Sequence, residues 1–168
     1  ERLDKIENSI LRHIEGLNTE YIDELLETCI LSRALERPKT EVEARFKRAI
    51  RECNAHGSKQ QMYNIVYEHA WTSFFWYEDI EAVRCDYNTL KSFLEELCNV
   101  TRIEKFTNIL NNIVNSVKAG MISEDFIKSE INYIYNLEKK LKKDSNHNSS
   151  LLYLQIYIHE QYIIEHVD

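Results

Sequence analysis

The chain has 168 residues, of which 43% are hydrophobic and 29% charged, with only three glycines and one proline. That balance is too apolar for a disordered chain and too poor in turn residues for an all-β fold, which leaves helix as the class. The net charge of −7 disfavours a nucleic-acid partner, whose phosphates it would repel.

Apolar periodicity and capping signals predict about eight helices, at about residues 2–15, 19–36, 40–55, 59–76, 78–97, 102–119, 123–143 and 149–166. The first ends at Gly16, and the second stops short of Pro38. The third opens on Thr40-Glu41-Val42-Glu43, a capping box, carries the stripe Val42, Phe46, Ala49, Ile50 and Cys53, and ends at Gly57. Gly16, Gly57 and Gly120 each stand where a helix wants a left-handed closing residue. No glycine or proline separates the fourth helix from the fifth, so one long helix over 59–97 is the alternative.

The fifth helix has a narrow seam of Ile80, Val83, Tyr87, Leu90, Leu94 and Leu97. The sixth has a second capping box, Thr101-Arg102-Ile103-Glu104, and the stripe Ile103, Phe106, Leu110, Ile113 and Val117. Ser123 with Glu124 and Asp125 starts the seventh, and Lys139, Lys140, Lys142 and Lys143 close it, opposing the helix dipole. The last helix is apolar all round, with Leu151, Leu154, Ile156, Ile158, Tyr162 and Ile163 among its residues. Such a helix needs cover on more than one side: a central position, a flanking domain or a second copy.

Cys29, Cys53, Cys85 and Cys98 are widely spaced and form neither a disulfide framework nor a zinc set. With no secretion signal, a soluble cytoplasmic protein is expected, and the sequons at Asn99 and Asn148 carry no weight. No apolar run reaches membrane-spanning length. The first residue is Glu rather than Met, so a piece of a longer protein is expected.

Segments beginning at Glu24, Met62, Phe106 and Ser149 recur at intervals of about 38, 44 and 43 residues. The expectation is a single all-α domain over 1–168 built from stacked antiparallel hairpins, α-solenoid-like, with a compact helical bundle as the alternative. Tyr67-Glu68-His69-Ala70-Trp71, followed by Tyr77-Glu78-Asp79-Ile80-Glu81-Ala82, resembles one unit of the tetratricopeptide family. In stacked hairpins the first helix of each pair lines a concave groove. The groove residues would be Asn64, Tyr67, Glu68 and Trp71 in one unit and Asn108, Asn111, Asn112 and Asn115 in the next. Tyrosine, tryptophan and amide side chains suit a peptide or a helix.

Arg51 and His56, five apart on roughly one helical face, resemble the Arg–His element of the HEPN ribonucleases, with Glu52 where that family has Asn, Asp or His. His56 beside Gly57 equally reads as a helix-closing residue. His159 and His166 are seven apart, unlike the four-residue spacing of zinc helices, and His69 beside Glu68 reads as a simple polar pair. Glu78, Asp79, Glu81, Glu95 and Glu96 have no nucleophile beside them. The expectation is therefore no metal, no cofactor and no established catalytic set. The chain reads as a protein- or peptide-binding module of a larger regulatory or scaffold protein. The alternatives are a HEPN-like ribonuclease through Arg51 and His56, or a self-contained acidic bundle acting as a dimer or an inhibitor.

Overall fold

The computed structural model describes residues 1–12, 19–96, 98–143 and Leu154. Among them lie seven helices and no strand: α1 (Arg2–Arg12), α2 (Thr19–Ala34), α3 (Lys39–His56), α4 (Lys59–Tyr77), α5 (Ile80–Glu96), α6 (Val100–Lys118) and α7 (Glu124–Leu141). The expected helix over 149–166, Gly16 and Leu97 lie outside the described residues.

The apolar stripes become the buried faces. Val42, Phe46, Ala49 and Cys53 are buried on α3, and Ile103, Phe106, Leu110 and Ile113 on α6. The starts differ from expectation in two places. Pro38 occupies the N-cap of α3, so Thr40 falls inside the first turn and its capping box does not form. Asn99 caps α6 by accepting the Arg102 N–H at 3.0 Å, which likewise puts Thr101 inside its helix. A capping box does form at α4. Ser58 Oγ accepts the Gln61 N–H at 3.2 Å, and Gln61 Oε1 accepts the Ser58 N–H at 3.0 Å.

The helix ends are closed by backbone geometry more than by glycine. Gly120 takes φ 75° and completes a Schellman closure of α6, with Gly120 N–H on the Val117 carbonyl and Met121 N–H on that of Ser116. Glu36 does the same for α2 at φ 52°. Glu78, at φ 50° and ψ 31°, ends α4. Asp79 then accepts the Ala82 N–H at 3.2 Å and starts α5, which excludes one helix over 59–97. Gly57 corrects the glycine rule: it is extended (φ −93°, ψ 175°), and what it supplies is room. A Cβ there would sit 2.4 Å from Cys53 Sγ and 2.9 Å from the Cys53 carbonyl oxygen.

The chain groups into two compact units, Glu1–Asp86 and Tyr87–Asp168, with the division inside α5. In the first unit α2 packs against α1, α3 and α4, and α3 also packs against α4. Tyr21, Ile22, Leu25, Cys29, Phe46 and Ile65 are central to its core. In the second, α6 packs against α7, and Tyr87 stacks on Phe106 with ring centroids 4.8 Å apart.

Polar contacts join residues about one repeat interval apart. In the first unit Gln61 Nε2 donates to Asp23 at 3.0 Å, 38 positions away, and Arg33 Nη1 to Thr72 at 2.7 Å, 39 away. These two bonds link start to start and end to end, so α2 and α4 run parallel. Lys39 reaches Asp79, 40 positions on, at 3.0 Å. In the second unit Tyr87 and Lys91 donate to Glu130 at 2.6 and 2.7 Å, 43 and 39 positions away. The sequence interval near 40 thus recurs as a contact register.

Candidate functional site

On α4, Tyr67, Trp71 and Phe75 follow one another every four residues, so they rise along one helical face. Their rings meet in sequence, Tyr67 to Trp71 at 6.0 Å and Trp71 to Phe75 at 4.4 Å between centroids, and Phe74 abuts Phe75 edge-on at 4.9 Å. The row begins half-buried and ends in the open, where Phe75 is 51% exposed.

Next to it, Trp76 is 44% exposed and has the Arg33 guanidinium 4.9 Å from its ring centroid. Arg33 is itself held from three sides: its Nη1 donates to the Glu68 carbonyl and the Thr72 hydroxyl, and its Nη2 lies 2.8 Å from the Glu68 carboxylate. A half-buried, multiply bonded cation fixes the pose of the indole above it. Leu35, two residues beyond Arg33, is 57% exposed. The end of α2 and the end of α4 together therefore present Leu35, Phe75 and Trp76 to solvent.

This arrangement redistributes the expected groove. Tyr67 and Trp71 belong to the aromatic row. Glu68 is committed to Arg33, and Asn64 accepts a bond from Gln60 at 3.2 Å. The asparagines of α6 do not form one open face: Asn115 is exposed, Asn108 and Asn111 are half-buried, and Asn112 is buried beside Ser116, which donates to its carbonyl. The two quartets lie in different units. The exposed Leu35, Phe75 and Trp76 are not among the expected groove residues.

Arg51 and His56 both lie exposed on the last turns of α3. Five residues turn a helix through about 500°, which leaves the two side chains about 140° apart rather than on one face. The Arg51 guanidinium rests on Glu52, at 2.8 Å.

A second polar cluster was not legible as such. His69 does not pair with Glu68. Its Nδ1 lies 2.6 Å from Asp86 Oδ2 on α5 and its Nε2 lies 3.3 Å from Glu43 Oε2 on α3. The edge of the Phe46 ring closes the site, with ring centroids 5.0 Å apart. All three polar side chains are largely shielded. Burial alone would lower the imidazole pKa, but the hydrogen bond and charge of Asp86, with those of Glu43, outweigh it and hold His69 above its ordinary value. Burial pushes the Asp86 carboxyl up, against the bond from His69.

Burial pushes the pKa of the Cys29 thiol up to about 12, outweighing the opposing charges of Arg45 and Arg33. It behaves as a small apolar group. Among the described residues, no group of His, Cys, Asp and Glu side chains is arranged to hold a metal, and no helix is long and apolar enough to cross a membrane. Comparison with protein-family models, with curated proteins and with solved structures finds no match to this chain.

Proposed function

We propose that the chain is a partner-binding helical module whose contact surface is the apolar end of α2 and α4. One observation carries the reading: three large apolar side chains, Leu35, Phe75 and Trp76, stand in solvent at that end, with the indole braced by Arg33 and the Phe75 ring backed by Trp71. Leaving such side chains exposed and ordered forgoes burial energy of about 1.5–3 kcal/mol each. Rigid aromatic anchors of this kind dominate the energy of protein interfaces, because they bury a large area at little entropic cost.

The partner that suits this surface is a protein segment offering apolar side chains, such as one face of an amphipathic helix. The parallel α2–α4 register supports the same view, since stacked hairpins present their ends and edges as repeated surfaces. Membership of a larger regulatory or scaffold protein, and a tetratricopeptide-like ancestry, belong to this proposal.

Site-specific photo-crosslinking tests it. A benzophenone side chain placed at Phe75 in the full chain, irradiated in the cells that make it, should yield a discrete heavier adduct. The same probe at Arg51, exposed elsewhere in the unit, should not. Equal yields from both positions, or none from Phe75, would overturn the assignment. Once the adduct is identified, Trp76→Ala should weaken binding by about 2 kcal/mol, some thirtyfold.

A further inference from the structure

We propose that Glu43, His69 and Asp86 form a proton-operated clamp that ties side chains of α3, α4 and α5 together in the imidazolium state and frees the Glu43 side chain of α3 when the ring loses a proton. The geometry carries this, independently of the surface proposed above. Each carboxylate approaches a different ring nitrogen, Asp86 at 2.6 Å and Glu43 at 3.3 Å, and the three side chains come from three different helices. Only the imidazolium has two N–H donors; the neutral ring has one donor and one lone pair.

When the ring is neutral, the shorter bond keeps the remaining proton, so Nδ1–H stays on Asp86. Nε2 then turns a lone pair toward the Glu43 carboxylate. Two acceptors facing one another in a shielded site repel, and Glu43 gains by swinging out to water. One proton therefore converts a three-helix brace into a two-helix one.

The surrounding charges favour the protonated form. Glu43 from α3 and Asp86 from α5 both face the ring. Asp79, at the start of α5, adds its charge to the same site and is neutralised in part by Lys39 from α3. Tyr77 on α4 feels Glu43 and, from α2, Arg33. Lys39 is engaged by Asp79 and the Tyr77 ring, and Arg33 by Glu68 and Thr72.

The direction of the pH dependence follows. A histidine whose folded pKa is raised contributes stability that is fully present below 6.5 and is lost as pH rises through the folded value. The raised Asp86 acts with the same sign, but its window opens at 3.8, far below that of His69. Above pH 9.0 the raised thiols of Cys29, Cys53 and Cys98 would add a further loss. The interval from 6.5 to about 8.5 isolates the histidine.

The test combines wild type, His69→Gln and Glu43→Gln in the full chain. Thermal midpoints of the wild type should step downward across that interval, and subtracting the His69→Gln profile should leave that step intact. NMR titration should place the wild-type His69 ring above 6.5, with the Glu43 side-chain carboxyl signal moving at the same pH. In Glu43→Gln the ring pKa should shift down, since the amide can donate to neutral Nε2 and no longer rewards the extra proton. A flat difference profile, a His69 ring titrating at or below 6.5, or a Glu43 signal that ignores the histidine would each overturn the clamp. If His69→Gln does not fold, the NMR titrations of wild type and Glu43→Gln decide the matter alone.

Discussion

Gly57 and Gly120 are both helix-closing glycines, yet they answer different physical demands. At Gly57 the backbone is extended and open to any residue, but an added Cβ would meet Cys53 Sγ at 2.4 Å and the Cys53 carbonyl at 2.9 Å. At Gly120 nothing lies within 4 Å of an added Cβ, and the obstacle is φ 75°. Gly57→Ala should therefore cost about 1–3 kcal/mol through overpacking. Gly120→Ala should cost about 1 kcal/mol through backbone strain alone. The two mechanisms separate in urea titrations of double variants. Cys53→Ala should recover part of the Gly57→Ala loss, since the sulfur leaves while the carbonyl stays, with a coupling of about 1 kcal/mol. It should leave the Gly120→Ala loss unchanged. Gly120→Asn should be milder than Gly120→Ala, because asparagine tolerates the left-handed region.

At the scale of the helix, the informative positions are ends that no glycine announces. Glu36 and Glu78 hold left-handed φ values of 52° and 50° without the residue that adopts them cheaply. Both are exposed, so neither substitution disturbs a core. Glu78→Gly and Glu36→Gly should each stabilise the fold by about 0.5–1 kcal/mol, net of the larger chain entropy glycine brings to the unfolded state. Ser58→Ala, which opens the capping box at the start of α4, should destabilise by about 1 kcal/mol. Unfolding midpoints in urea check both signs, and a destabilised Glu78→Gly would mean that the strain is relieved elsewhere.

The same positions explain what the sequence could and could not reveal. Stripes such as Val42–Phe46–Ala49–Cys53 repeat within one element, so period and capping signals together place the seven described helices to within a few residues. Pro38 and Asn99 displaced the expected caps at Thr40 and Thr101, because two overlapping start signals compete and tertiary packing selects one. The partners of His69 stand 26 residues before it and 17 after it, on other helices. No local pattern encodes such a meeting; it exists only once α3, α4 and α5 have packed.

For the molecule as a whole, charge and the apolar end of α2 and α4 work against each other. The chain is at −7 near neutral pH, and its isoelectric point lies near 5.4. Like charge keeps copies apart at pH 7, when Leu35, Phe75 and Trp76 would otherwise favour association. As pH falls toward 5.4 the repulsion vanishes while the apolar attraction is unchanged. Light scattering should then show the wild type gaining mean mass above 20.1 kDa as concentration rises, and more so at pH 5.4 than at pH 7. The double variant Leu35→Ser, Phe75→Ser leaves net charge and isoelectric point untouched and spares the Arg33–Trp76 contact, so it changes only the attraction. It should stay near its monomer mass at both pH values. Equal association of the two proteins would place the adhesive surface elsewhere, and a wild type that remains monomeric at its isoelectric point would show these side chains too dispersed to hold a second copy. A partner would then have to supply the complementary shape that a copy of the chain lacks.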